Sequence, residues 1–392
     1  MLLLGAPLLA GCGSEAATAL PAPAAPVRST VVAAPESIDA GVEDDAFEPA
    51  DTGRDAGRVR RARVESEVGE LFDPSEDEAI VERLRTEEIV SVERGRGGRS
   101  VAFRLTLASG ARAYFKPEQS FSGTHWYAEI AAFHLDRLLR LHRTAPSTGR
   151  VIPWSVLEPA LAGDPRASEV SVREDGTVRG VIVAWIDERL VPIAPPSGWE
   201  QDLRLTAHVG AFPFVPPRAL LRAHTAFVSV DGGVAPTDAG ALDAFGPEDA
   251  RAVDGTLWDG ERRAAELSNL IVFDFLIHNG DRWGGNYTNV RTRGVDGPIV
   301  YLDNAAGFSR RRARLTTLDL RLFFVERYDA TLLRRVRRLA PEALRERLAT
   351  EPLAPILDDT QLEHFEERRL AFVAHVDGLT ERLGAEQVLA WP

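Results

Sequence analysis

Apolar and polar positions change their spacing several times along the chain, and each change predicts an element. Ile80, Val81 and Leu84 recur at helical spacing behind Ser75-Glu76-Asp77-Glu78, which has the Ser-x-x-Glu form of a capping box, so order is expected to begin at Ser75. Val101, Phe103, Leu105 and Leu107 then alternate with polar or small residues, the period of a half-buried strand. Ser109-Gly110 marks a turn, and Ala111 to Lys116 is expected to return as the antiparallel partner. Tyr127 to Leu141 sets Ala128, Ala131, Ala132, Leu135, Leu138 and Leu139 on one helical face. Val181 to Trp185 reads as a short apolar strand connecting two lobes. Leu267 to Ile277 is apolar almost all round, as a buried helix is, and stops at the breaker pair Asn279-Gly280. Pro298 to Leu302 reads as a buried strand. From Leu318 onward, Leu-rich and Arg/Glu-rich positions alternate at helical spacing and predict helices near 319–339, 341–349 and 360–384. No internal repeat stands out, and the Pro- and Gly-rich stretch from Val209 to Gly260 yields no clear element.

The first 73 residues follow none of these periods. From Gly13 to about Asp73 the chain is rich in Ala, Pro, Glu and Asp and cannot bury enough apolar surface to offset its ordering entropy, so a disordered acidic linker is expected. Ahead of it an apolar run closes on Leu9-Ala10-Gly11-Cys12, which resembles a bacterial lipoprotein signal whose cysteine is lipidated. That run is too short to span a bilayer as a helix, which takes about 20 residues. The expected organisation is therefore a lipoprotein-type signal at 1–12, a linker at 13–73, an N-lobe at 74–185 and a C-lobe at 186–392. The protein would be exported and held to the outside of the cytoplasmic membrane through a lipid on Cys12.

Charge and composition refine the picture at three points. The net charge is −13, but residues 36–78 alone hold 15 Asp/Glu against 5 Arg, so most of the acidity belongs to the linker and not to the folded region. No basic tract predicts a nucleic-acid partner. Cys12 is the single cysteine, which excludes an internal disulfide framework and a cysteine-based metal site. Of the 46 Lys and Arg residues only Lys116 is lysine, which hints that this position needs a compact ammonium rather than a planar guanidinium.

Phosphoryl transfer needs a cation on the nucleotide phosphates, ligands for a metal and a carboxylate to orient the attacking hydroxyl. The chain offers a candidate for each. Lys116 ends a strand after a hairpin preceded by Gly95-Arg96-Gly97-Gly98, whose Gly97 and Gly98 are candidates for phosphate contact. Glu129 falls in the first turn of the next helix, where it can pair with Lys116 or bind metal. Asp281 opens a loop after a buried helix, and Asn286 lies five residues on, the Asp-x-x-x-x-Asn spacing of a kinase catalytic loop. Asp303 follows the apolar strand Ile299-Val300-Tyr301-Leu302, where a kinase supplies its metal-binding aspartate. Each residue alone reads as a turn former or a solvated charge; their order and context together reproduce a bilobal kinase. No Gly-x-Ser-x-Gly or His-Glu-x-x-His motif points to a hydrolase or zinc protease.

Three segments resemble the Golgi casein kinase and Four-jointed family of secretory-pathway kinases. They are Phe115-Lys116-Pro117 with Ala128 to Leu138, Val272 to Arg282, and Tyr301 to Phe308. The resemblance implies an α+β, bilobal, atypical protein-kinase-like fold with a small β-rich N-lobe and a mainly helical C-lobe. It implies ATP with Mg²⁺ or Mn²⁺ as cofactors and a hydroxyl of an exported protein or a glycan as acceptor. By it Lys116 contacts nucleotide, Glu129 and Asp303 hold metal, and Asp281 is the catalytic aspartate. Asn286 is assigned to both nucleotide and metal. His134, Asp136 and Arg137, within the same run, are expected to serve helix packing or surface pairing. The chain departs from the family at Trp283, where His is usual, at Asn286, where some members have Glu, and in lacking disulfides. Besides a protein kinase, a sugar kinase and a nucleotide-binding pseudokinase are carried forward.

Overall fold

The protein is described by a computed structural model over residues 71–95, 98–193, 202–205, 260–283, 289–294, 297–310 and 317–392. The expected signal with Cys12, the linker up to residue 70, residues 209–259, Gly97 and Asn286 lie outside the described residues.

The chain is already packed at Leu71, two residues before the expected end of the linker. Leu71 is buried, and the amides of Leu71 and Phe72 both donate to the carbonyl of His142. Helix α1 (Asp77–Thr86) follows. Ser75 does not cap it, because Asp73 Oδ1 accepts from both the amide and the hydroxyl of Ser75. The strands β1 (Ile89–Arg94), β2 (Phe103–Leu107), β3 (Arg112–Pro117), β4 (Ser147–Pro153) and β5 (Thr177–Ala184) form one antiparallel sheet in the order β1-β2-β3-β5-β4. Period-two alternation gives β2 its buried Phe103, Leu105 and Leu107, which share a core with Phe115, Ile152, Leu157 and Ile182. Gly180 lies so close to β3 that a Cβ there would sit 2.3 Å from the Lys116 carbonyl oxygen.

Helix α2 (Trp126–Leu138) crosses this sheet, yet its apolar side belongs to a different and larger core. There it packs with α3 (Gly260–Ile277), the small sheet β6 (Leu190–Pro192), β7 (Val290–Arg293) and β8 (Ile299–Tyr301), and the C-terminal helices. Those helices are α4 (Thr317–Phe324), α5 (Ala330–Arg338), α6 (Pro341–Ala349) and α7 (Asp359–Leu383). The single helix expected at 319–339 is two, because Asp329 accepts from the amides of Thr331 and Leu332 and starts a new helix there. Helix α3 begins seven residues earlier than its apolar run suggests. Arg263 and Glu266 are buried in that extra stretch and pair with each other at 2.6 Å. Among the described residues no helix is long and apolar enough to cross a membrane.

Candidate active site

Lys116, Glu129 and Asp303, separated by up to 187 positions in sequence, meet where the two cores face each other. Lys116 is the penultimate residue of β3, and its Nζ donates to Glu129 Oε1 at 2.7 Å and to Asp303 Oδ1 at 2.5 Å. Burial alone would pull the ammonium down, but the charges of Asp303 and then Glu129 outweigh it and hold the amine well above the ordinary lysine range. In return the Lys116 charge, and the bond from its ammonium, lower Asp303.

The two carboxylates differ in freedom. Glu129 is buried, and its second oxygen, Oε2, accepts from the amide of Asn304 at 3.1 Å and from Asn304 Nδ2 at 3.2 Å. The Asp303 side chain is 43% exposed, and among the described residues Oδ2 meets the distant amide of Asn289 at 3.5 Å. Asp303 adopts a left-handed backbone with φ of 53°, uncommon for non-glycine residues although aspartate visits it more readily than most. Among the described residues no three His, Cys, Asp or Glu side chains form a complete metal cage. Two carboxylates are nevertheless what a kinase-type Mg²⁺ site draws from protein, since phosphate oxygens and water complete the shell. The donor set therefore fits a divalent ion that arrives with a nucleotide.

Asp281 begins a single turn of 3-10 helix (Asp281–Trp283) and is exposed. Its loop is tied to the Asp303 segment from below. Arg282, fully buried, donates through Nε to both oxygens of Asp274 at 2.8 and 2.9 Å, through Nη1 to the Leu302 carbonyl, and through Nη2 to Asn304 Oδ1 at 2.5 Å. Asn279 Nδ2 reaches the Asp303 carbonyl at 3.1 Å. Trp283 joins the same anchor, its indole N–H donating to Asp274 Oδ2 at 2.8 Å. Burial pushes Asp274 up to about 6 against the pull of Arg282.

The loop between β1 and β2 is held at both ends. The Gly95 amide donates to the Ala102 carbonyl at 2.7 Å, and Gln119 clamps the amide and carbonyl of Val101. Gly98 takes a left-handed φ of 74°, and its carbonyl accepts from Arg166 at 3.3 Å.

Five of the residues singled out from sequence thus have a described position: Lys116, Glu129 and Asp303 in contact, Asp281 on the loop bonded to the Asp303 segment, and Gly98 in the β1–β2 loop. Sequence reasoning missed Asn304, which reads as half of an ordinary Asp-Asn turn but bonds both Glu129 and Arg282. It also missed Asn289, three positions beyond Asn286.

Comparison with known proteins bears on this arrangement. The sequence profile described as Golgi casein kinase, C-terminal, Fam20 matches residues 65–157 and 252–388, more than half of the chain. The chain belongs to the Fam20 family. It is 24% identical over 333 residues to human glycosaminoglycan xylosylkinase, a match covering 79% of this chain and 77% of that protein. It is also 24% identical over 376 residues to the human extracellular serine/threonine protein kinase FAM20C, covering 80% of this chain but 56% of that protein. The human pseudokinase FAM20A is 23% identical over 288 residues, covering 67% of this chain and 48% of that one. Among solved structures, a Golgi casein kinase with Mn/ADP bound superposes with a TM-score of 0.57 at 21% identity, covering 84% of this chain and 82% of that chain. The bilobal Fam20 kinase fold expected from the sequence is the fold of this chain.

Proposed function

We propose that the protein is an ATP-dependent kinase that transfers phosphate to a serine or threonine hydroxyl of an exported protein. The observation that carries this reading is the three-way contact of Lys116, Glu129 and Asp303, with an exposed Asp281 on the loop bonded to the Asp303 segment. In this reading Asp303 and Glu129 hold a Mg²⁺ or Mn²⁺ ion, which neutralises phosphate charge when bound. Lys116 binds nucleotide phosphates, Gly97 and Gly98 lie along them, and Asn286 supports nucleotide and metal from the catalytic loop. Asp281 accepts the proton of the attacking hydroxyl and aligns its oxygen. Its exposure supports that role, since an acceptor on a second macromolecule must reach it. The complete polar set argues against a pseudokinase, because losing one transition-state stabiliser typically costs about 10²–10³ in rate.

A sugar hydroxyl as acceptor is a second reading, favoured by one observation. The chain is as similar to the xylosylkinase as to the serine/threonine kinase, 24% identical to each over 79% and 80% of its length. The division into a signal at 1–12, a linker at 13–73, an N-lobe at 74–185 and a C-lobe at 186–392 belongs to the same proposal, as does a lipid anchor on Cys12 outside the cytoplasmic membrane.

The test is transfer of radiolabelled γ-phosphate from ATP with Mn²⁺ or Mg²⁺ to exported proteins and, separately, to xylose-containing glycans. Label on protein at a Ser or Thr supports the first reading, and label on glycan alone replaces it with the second. No transfer by wild-type protein, with no thermal shift for any nucleotide–metal pair, would sink both.

A further inference from the structure

A second polar centre lies behind the helix that carries Glu129. Glu351, in the turn after α6, has a fully buried side chain. Its Oε1 accepts from His134 Nε2 at 2.8 Å and from Arg85 Nη2 at 3.1 Å; its Oε2 accepts from Thr148 Oγ1 at 2.6 Å and from the Gly149 amide at 3.1 Å. One carboxylate of the helical lobe therefore gathers donors from α1, α2 and β4. The contact with the carboxylate fixes the proton on Nε2 of His134. Burial would raise the Glu351 carboxyl, but the bonds from His134 and Thr148 outweigh it and keep it below the ordinary range.

Three of the four donors lie on the helix that carries Glu129 or on the strand that bonds it. His134 lies five residues along the same helix. Thr148 and Gly149 adjoin Ser147, whose hydroxyl donates to the carbonyl of Glu129 itself at 3.3 Å. Arg85 also donates to Thr148 Oγ1 at 2.8 Å, closing the group. The chain after Glu351 lies flush on β4, since a Cβ at Gly149 would meet Leu353 Cγ at 2.8 Å. The apolar side of α2 packs into the C-lobe core, so a polar tie from the C-lobe is placed to set how far the helix is rotated and how far it reaches.

We propose that Glu351 is a positioning residue for the Lys116–Glu129 pair. Its carboxylate fixes α2 through His134, and fixes the β4 segment that bonds the Glu129 backbone through Thr148 and Gly149. Glu351 touches neither Lys116 nor the cleft and acts only through the placement of Glu129. The inference concerns the pair itself and does not depend on which acceptor is phosphorylated.

Lys116 is the only lysine in the chain, so ε-amine acylation reads out this one position. The experiment treats the full chain with an N-hydroxysuccinimidyl acetate well below each variant's unfolding midpoint. Acylation of the Lys116 peptide is followed by mass spectrometry, which separates it from the N-terminal amine. Glu129→Gln sets the rate for a broken pair. Glu351→Gln and His134→Asn are expected to raise the Lys116 rate roughly five- to tenfold over wild type, the scale of a typical intramolecular hydrogen bond. Val388→Ala, in the C-terminal core next to Tyr328, serves as a control for lost stability alone and is expected to stay near the wild-type rate. Should Glu351→Gln fail to fold, His134→Asn decides, because it leaves the other three donors on the carboxylate. A wild-type acylation rate in the folded Glu351 and His134 variants overturns the proposal. So does an equal rise in Val388→Ala at matched stability. A failure of phosphate transfer touches neither outcome.

Discussion

Two sets of buried charge converge on the cleft, and they are built differently. In Asp274, Arg282 and Trp283, each nitrogen of the guanidinium has a protein acceptor, and neither Asp274 nor Arg282 has an exposed side chain. In Lys116, Glu129 and Asp303 the lysine and glutamate are buried to a similar degree, but Asp303 keeps one carboxylate edge toward solvent. A closed network can only hold its shape. An open one can exchange a partner, which is what binding a metal and a triphosphate demands. Removing one member of a closed buried pair strands the other charge. The same change at an open site lets water take up part of the loss.

The largest effect expected is on chemistry alone. Asp281→Asn should lower phosphate transfer by roughly 10²–10⁴-fold, the range for a lost general base, while leaving the unfolding midpoint and the nucleotide–metal thermal shift intact. Transfer at the wild-type rate would remove Asp281 from the reaction. Next, Asp274→Ala should destabilise the protein by about 3–5 kcal/mol, measured by guanidinium unfolding, because Arg282 stays buried without its carboxylate. A loss below about 1 kcal/mol, the scale of an exposed pair, would erase the contrast between the two networks.

Lys116→Arg tests the open site from the other side. The charge is kept but the compact ammonium is not, so the nucleotide–metal thermal shift should vanish, and fitting the larger guanidinium into the buried site should cost about 1–3 kcal/mol of stability. The smallest effect is a pH dependence. The native Lys116 value lies above its unfolded one, so from neutral pH up to about 10.4 its pairing with the ionised carboxylates stabilises the fold in full, and it fades as pH rises through the native value. The difference in unfolding midpoint between wild type and Lys116→Met should accordingly stay flat from about pH 7 to 10 and shrink only above that range. A difference that shrinks near neutrality would mean that the ammonium is not held by Asp303 and Glu129.

Those four aspartate, glutamate and lysine positions were legible in sequence because their identities are dictated by charge, and because strand, helix and loop periods placed them in kinase order. Their supports were not legible. Asn279 bonds the Asp303 carbonyl and Asn304 bonds the Glu129 carboxylate, both in segments distant in sequence, and no local period encodes such a bond. His134 was read as packing or surface pairing, and it proves to be a buried partner of Glu351, 217 residues away. Strands with clear alternation, β2 and β3, were visible. The edge strand β1 was missed because its outer face is exposed and carries charge, and β4 because Ser147, Thr148 and Gly149 bury polar and small groups instead of an apolar row. The helix starting at Ser75 was expected from a motif that a neighbouring aspartate diverts.

The close approach at Gly180 carries a consequence for which changes this protein can survive. No polar group there takes part in the cleft, and a methyl group adds neither charge nor a hydrogen-bonding atom. Yet one methyl at that point must wedge β5 away from β3 beneath the lysine. A silent-looking Gly180→Ala change is thus expected to displace the strand that carries the lysine, and a survey restricted to charged residues would overlook that position.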